Sequence, residues 1–98
     1  MAKANRPPKP PKPGTGGGGS NTIPAPTGLT ATMTFSGVYL QWNPVTNAQG
    51  YWIYRNGYVP AIVQATNYTD LSGRVGDVYE VAAVVNTVLG QKSSSVTA

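Results

Sequence analysis

About a quarter of this chain carries a composition that rules out both helix and sheet. Arg6-Pro7-Pro8-Lys9-Pro10-Pro11-Lys12-Pro13 fixes φ at most positions and removes backbone donors. A polyproline II segment is expected there, reaching roughly 25 Å at about 3.1 Å per residue. Gly14-Thr15-Gly16-Gly17-Gly18-Gly19-Ser20 follows, with the composition of a flexible joint. The charge divides at the same place. Residues 1–26 hold Lys3, Arg6, Lys9 and Lys12 and no acid. Residues 27–98 set Arg55, Arg74 and Lys92 against Asp70, Asp77 and Glu80, so the net charge of +4 belongs to the arm. The expected organisation is a basic arm and linker over 1–26 and one compact module over 27–98.

Three readings of the arm are open: a solvated spacer, an anchor along an acidic or grooved partner, and a specific proline-rich ligand. Lys3, Arg6, Pro7, Pro8, Lys9, Pro10, Pro11 and Lys12 are the candidate anchoring residues. Pro7 to Lys12 satisfies the PxxPx-basic pattern read by SH3-type grooves. Four charges without aromatic neighbours give only weak, salt-sensitive nucleic-acid binding, so no specific nucleic-acid partner is expected.

Composition excludes several chemistries. The chain has no cysteine and no histidine. It therefore offers no disulfide, thiolate or imidazole base, and its three acids are too scattered for a zinc site. Gly16 to Gly19 lacks the Lys-Ser/Thr of a phosphate loop. No catalytic residue and no cofactor or metal is expected. No apolar run reaches the length of a membrane span, so no membrane insertion is expected. Met1 to Arg6 could open a signal peptide, but prolines and lysines follow where its apolar region would lie. The product is thus expected to stay where it is made, unless it leaves inside an assembly or by lysis.

From Thr27 the chain reads as strands separated by turn residues, with no helical periodicity. Val38, Leu40 and Trp42 alternate with Tyr39, Gln41 and Asn43, and Pro44 ends that strand. Tyr51 to Arg55 and Tyr58 to Val63 flank Asn56-Gly57, a type I′ turn signal. Further strands are expected around Ala65 to Thr69, Val78 to Val85 and Lys92 to Thr97. About seven short antiparallel strands at this spacing predict an all-β, immunoglobulin-like two-sheet sandwich.

Ala25-Pro26-Thr27-Gly28-Leu29-Thr30-Ala31-Thr32, Val38-Tyr39-Leu40-Gln41-Trp42 and Gly50 to Gly57 resemble the first three strands of a fibronectin type III domain. Asn67-Tyr68-Thr69-Asp70, Tyr79 to Val84 and Ser94 to Ala98 are similar to its later strands. The resemblance covers Pro24 to Ala98 and has the look of a bacterial or phage variant. It implies that Leu29, Leu40, Trp42, Tyr51, Ile53, Tyr68, Tyr79, Val81 and Ala83 are structural. One departure is visible: the leucine expected a few residues before the corner tyrosine, Tyr79, falls near Gly73, with Leu71 displaced. The corner is expected to close through the Tyr79 hydroxyl on the backbone.

Alternation directs Trp52 and Tyr54 away from the core, and Glu80, Ala82 and Val84 with them. The resemblance makes those two strands neighbours, so Trp52, Tyr54, Ala82 and Val84 form a candidate interaction patch that Tyr58 would extend. Cross-strand stabilisation, a protein contact and a carbohydrate platform all remain open for it. A module of this kind without a secretion signal suggests a non-catalytic phage virion protein. It would be a capsid decoration or tail accessory, with the arm on a shell or tail protein and the sandwich outward. The alternative is a carbohydrate- or cell-wall-binding or spacer module of a secreted polysaccharide-degrading enzyme, and then extracellular. An intracellular adaptor acting through the arm is a third reading.

Overall fold

The structure, a computed structural model, describes residues 22–98. The candidate anchoring residues Lys3, Arg6, Pro7, Pro8, Lys9, Pro10, Pro11 and Lys12 lie outside the described residues. Among the described residues are eight strands: β1 Thr30–Met33, β2 Val38–Gln41, β3 Gly50–Arg55, β4 Tyr58–Val63, β5 Asn67–Asp70, β6 Val78–Val85, β7 Val88–Lys92 and β8 Val96–Thr97. One sheet runs β1-β2-β5; the other runs β4-β3-β6-β7, with β8 also on β6. All pairings are antiparallel. The two sheets face each other as a sandwich, the architecture expected from the strand pattern, and of the fibronectin type III-like kind that the resemblance implies.

The strand expected over Lys92 to Thr97 is instead two strands, and it begins earlier, at Val88. Asn86 (φ 51°) and Thr87 (φ 64°) make a two-residue left-handed turn after β6, the geometry that Asn56 (φ 52°) and Gly57 (φ 86°) supply between β3 and β4. A β-branched residue disfavours positive φ, so nothing in Asn86-Thr87 advertises a hairpin. Between β7 and β8 the buried Ser93 keeps the ladder closed: its amide donates to the Val81 carbonyl (2.7 Å), and its hydroxyl accepts from the Val81 amide (3.0 Å). Thr87→Gly is expected to raise stability by about 0.5–1 kcal/mol in urea denaturation, because it removes the left-handed strain at an exposed site.

The core forms where the inward faces meet: Val38, Leu40, Trp42, Val45, Tyr51, Ile53, Tyr79, Val81 and Ala83 are buried together. Leu29 and Tyr68 are half-buried against them. Trp42 and Tyr51 meet edge to face at 5.5 Å, and the Tyr51 hydroxyl accepts from the Val45 amide at 2.9 Å. Each large side chain removed from water here contributes about 1.5–3 kcal/mol. Residues 24–26, assigned above to the arm, lie among the described residues. Pro26 is buried and Ile23 packs on the core beside Gly90, so apolar contact with the sandwich begins before residue 27.

The corner closes differently from the expectation. The Tyr79 hydroxyl donates to the Asp70 carboxylate (2.7 Å), not to backbone. Arg55 Nη1 donates to the same oxygen, Oδ2, at 2.7 Å, and the Ser72 amide donates to the other at 3.2 Å. Asp70 ends β5 in one sheet, whereas Arg55 and Tyr79 face each other across β3 and β6 in the other. The carboxylate therefore clamps the sheets together. Gly73 is required beside it, since a Cβ there would run into the Tyr79 hydroxyl and Val38. A leucine at Gly73 has no room, and Leu71 points to solvent at 74% exposure. Burial pushes the Asp70 carboxyl up, but the hydrogen bonds from Arg55, Tyr79 and Ser72 outweigh it and hold it below the usual carboxylate range. Burial and the bond to Asp70 push the Tyr79 hydroxyl well above its ordinary value.

Candidate functional site

The outer face of the β4-β3-β6-β7 sheet carries the aromatic residues singled out by alternation. Its central row runs Ile62, Trp52, Ala82, Lys92 across the four strands. The next row places Tyr54 opposite Glu80. The Trp52 and Tyr54 rings lie 6.4 Å apart at 44°. Lys92 sits over the Tyr54 ring, its ammonium 4.3 Å from the centroid, and reaches Glu80 at 3.8 Å. This cation–π contact lays the lysine stem along the sheet.

Two members of the patch are therefore covered. Tyr54 is only 8% exposed under Lys92, and Ala82 is fully buried between Trp52 and Lys92 on its flanking strands. Tyr58 does not extend the patch. The two-residue turn Asn56-Gly57 sets Tyr58 directly opposite Arg55. The Arg55 side chain reaches inward to Asp70, so Tyr58, though 76% exposed, belongs to the other side of the sheet. Trp52 and Val84 remain half-buried on the outer face.

What lies beside Trp52 is a shallow hollow of about 310 Å³, lined by Gln49, Gly50, Trp52, Ile62, Val63, Gln64 and Val84. Its two amide side chains come from the open end of the β3–β4 hairpin: Gln49 precedes β3 and Gln64 follows β4. The Gln49 backbone is held by its bond to the Val84 carbonyl (2.7 Å), and its side-chain Oε1 accepts from the Thr87 amide (3.0 Å). Gly50 lets the two chains close up, since its absent Cβ would lie 3.2 Å from the Val63 carbonyl oxygen. Neither glutamine belongs to the patch that alternation alone marks out. Counting the hairpin register outward from Asn56-Gly57 would not have found them, because a register shift between Ile53 and Arg55 changes which β4 residues stand opposite Trp52.

Among the described residues no group of three His, Cys, Asp or Glu could hold a metal ion, and no helix is long and apolar enough to cross a membrane.

Residues 26–98 match the family described as the beta-sheet domain of rhamnogalacturonan I lyases. The chain is 43% identical over 84 residues to a poly(3-hydroxybutyrate) depolymerase of Ralstonia pickettii, covering 84% of this chain and 16% of that protein. It is 47% identical over 55 residues to exochitinase 1 of Streptomyces olivaceoviridis, covering 54% and 9%. The chain thus spans under a fifth of the length of either curated relative. Among solved structures, an Fn3-like protein from Clostridium thermocellum superimposes with a TM-score of 0.71 and 31% identity, covering 79% of this chain and 92% of that one.

Proposed function

Because the chain belongs to the family of rhamnogalacturonan I lyase beta-sheet domains, we propose that it serves as a non-catalytic accessory module of a polymer-degrading enzyme. The observation that carries this reading is the shape of the matches. Sequence similar to this chain recurs as a small part of a depolymerase and a chitinase that are named for different substrates. A module shared across different chemistries contributes presentation or spacing rather than the reaction itself. Its site of action is then outside the cell, where insoluble polymer is met. The basic, proline-rich arm is then a tether between the sandwich and its neighbour.

These relatives support the accessory reading over capsid decoration, since none of them is a virion protein. Fractionation of the producing culture, followed by immunoblotting, tests the choice. The protein is expected in the culture fluid and on insoluble polysaccharide added to it. Recovery in purified phage particles, with none on polymer or in particle-free fluid, would overturn the accessory reading and restore the virion one.

A further inference from the structure

We propose that the hollow beside Trp52 is a binding subsite for a neutral pyranose residue of a polysaccharide. The inference deepens the accessory reading and rests on it for the polymer context; the site itself is read from side-chain chemistry.

A pyranose has an apolar C–H face and a rim of hydroxyls, each both donor and acceptor. The hollow presents the same division in complementary form. Trp52, Ile62 and Val84 supply an apolar floor and wall, and the indole is the flat surface on which a C–H face stacks. Gln49 and Gln64 supply polar groups on its rim. The Gln49 carbonyl is engaged by the Thr87 amide, so its NH₂ is the group left to donate. Gln64 offers both a donor and an acceptor. One donor plus one donor–acceptor pair is what adjacent sugar hydroxyls satisfy. The volume, about 310 Å³, lies at the lower end of small-ligand sites.

Charge narrows the sugar class. None of the lining residues is charged, so a uronate carboxylate would meet no cation. Lys92, the cation on this face, is held by Tyr54 and Glu80. An acidic sugar would lose hydration without a partner, which disfavours it against a neutral one. A polyester segment could also lie on Trp52, but it offers acceptors only. It would leave the Gln64 carbonyl desolvated and unpaired.

The test uses the full chain labelled with ¹⁵N and titrated with chitohexaose, cellohexaose and a polygalacturonate oligomer. At least one neutral oligosaccharide is expected to move the Trp52 indole N–H and the Gln49 and Gln64 side-chain amide signals together. The acidic oligomer is expected to leave them in place. Trp52→Ala should weaken binding by about tenfold or more. Because Trp52 is half-buried, Gln64→Ala is the second variant: it alters an exposed residue, so the fold persists, and binding should fall about fivefold. Three results would each overturn the subsite: no shift with any neutral sugar at millimolar concentration, equal shifts with the acidic oligomer, or Trp52-dependent retention on poly(3-hydroxybutyrate) granules without sugar binding. If the subsite fails while the protein is still found on polysaccharide in culture, the accessory reading stands without it.

Discussion

Asp70→Asn is expected to lower the unfolding free energy by about 3 kcal/mol. The substitution keeps the size of the side chain but removes the charge that both Arg55 and Tyr79 address at 2.7 Å. Asp70 is 2% exposed and the Arg55 side chain 26%, so the guanidinium is left partly buried without its counter-ion. The loss should be read as a shift of the urea midpoint at neutral pH. It should be larger than that of Leu71→Ala, which truncates a side chain lying in solvent.

The same clamp sets the pH dependence. The Asp70 carboxyl ionises more readily in the folded chain than in the unfolded one. Its stabilisation is complete above the ordinary value of 3.8 and drains away as pH falls through the lower, folded value. Asp77, whose carboxylate accepts from Asn56 and from the Arg74 amide, shifts in the same direction and adds to the acid limb. Tyr79 works in the opposite sense. Its folded value is raised, so its contribution is complete below the ordinary 10.0 and is lost as pH climbs through the folded value. Wild-type stability is therefore flat at neutral pH and declines at both extremes. Asp70→Asn should blunt the acid decline that sets in as pH falls below 3.8. A variant that loses less than about 1 kcal/mol, with an unchanged acid limb, would show that the sheets are held by packing alone.

Gly37→Ala is expected to cost about 3 kcal/mol or more. Gly37 closes the β1–β2 hairpin at φ 148°, where L residues are rarely found. A Cβ there would drive into the Asp70 carbonyl oxygen and lie 2.9 Å from the Leu71 Cα, both backbone atoms that cannot swing aside. Gly57→Ala separates the two costs. Gly57 also has positive φ, but nothing stands within 4 Å of its absent Cβ. It should lose only about 1 kcal/mol. Equal midpoints for the two variants would mean that conformation, and not contact with β5, accounts for the Gly37 effect.

Much of the fold was legible because sandwich cores are written in period two. Val38, Leu40 and Trp42, then Tyr51 and Ile53, then Tyr79, Val81 and Ala83 alternate with outward residues, and all of them are buried. Asn56-Gly57 advertised its hairpin through residues that tolerate positive φ. The β6–β7 hairpin was hidden, because Thr87 takes up positive φ against its own preference and the neighbouring strands hold it there.

The candidate site was less legible. Alternation placed Trp52, Tyr54, Ala82 and Val84 on one face, but it carries no information on what lies above that face. The stem and charge of Lys92, arriving from β7, cover Tyr54, and Tyr58 stands opposite the inward-reaching Arg55. Gln49 and Gln64 reach Trp52 only because a hairpin brings together its two ends, fifteen positions apart in the numbering.

By itself, then, the sequence determined the two-part charge and proline division, the strand periodicity and the turn at Asn56-Gly57, since each depends on neighbours within a few residues. Only the tertiary structure decided that Asp70 joins Arg55 and Tyr79 between the sheets, and that Trp52 stands beside two amides. Both arrangements are meetings of residues far apart in the chain, and sheet register, not local preference, determines which of them face each other.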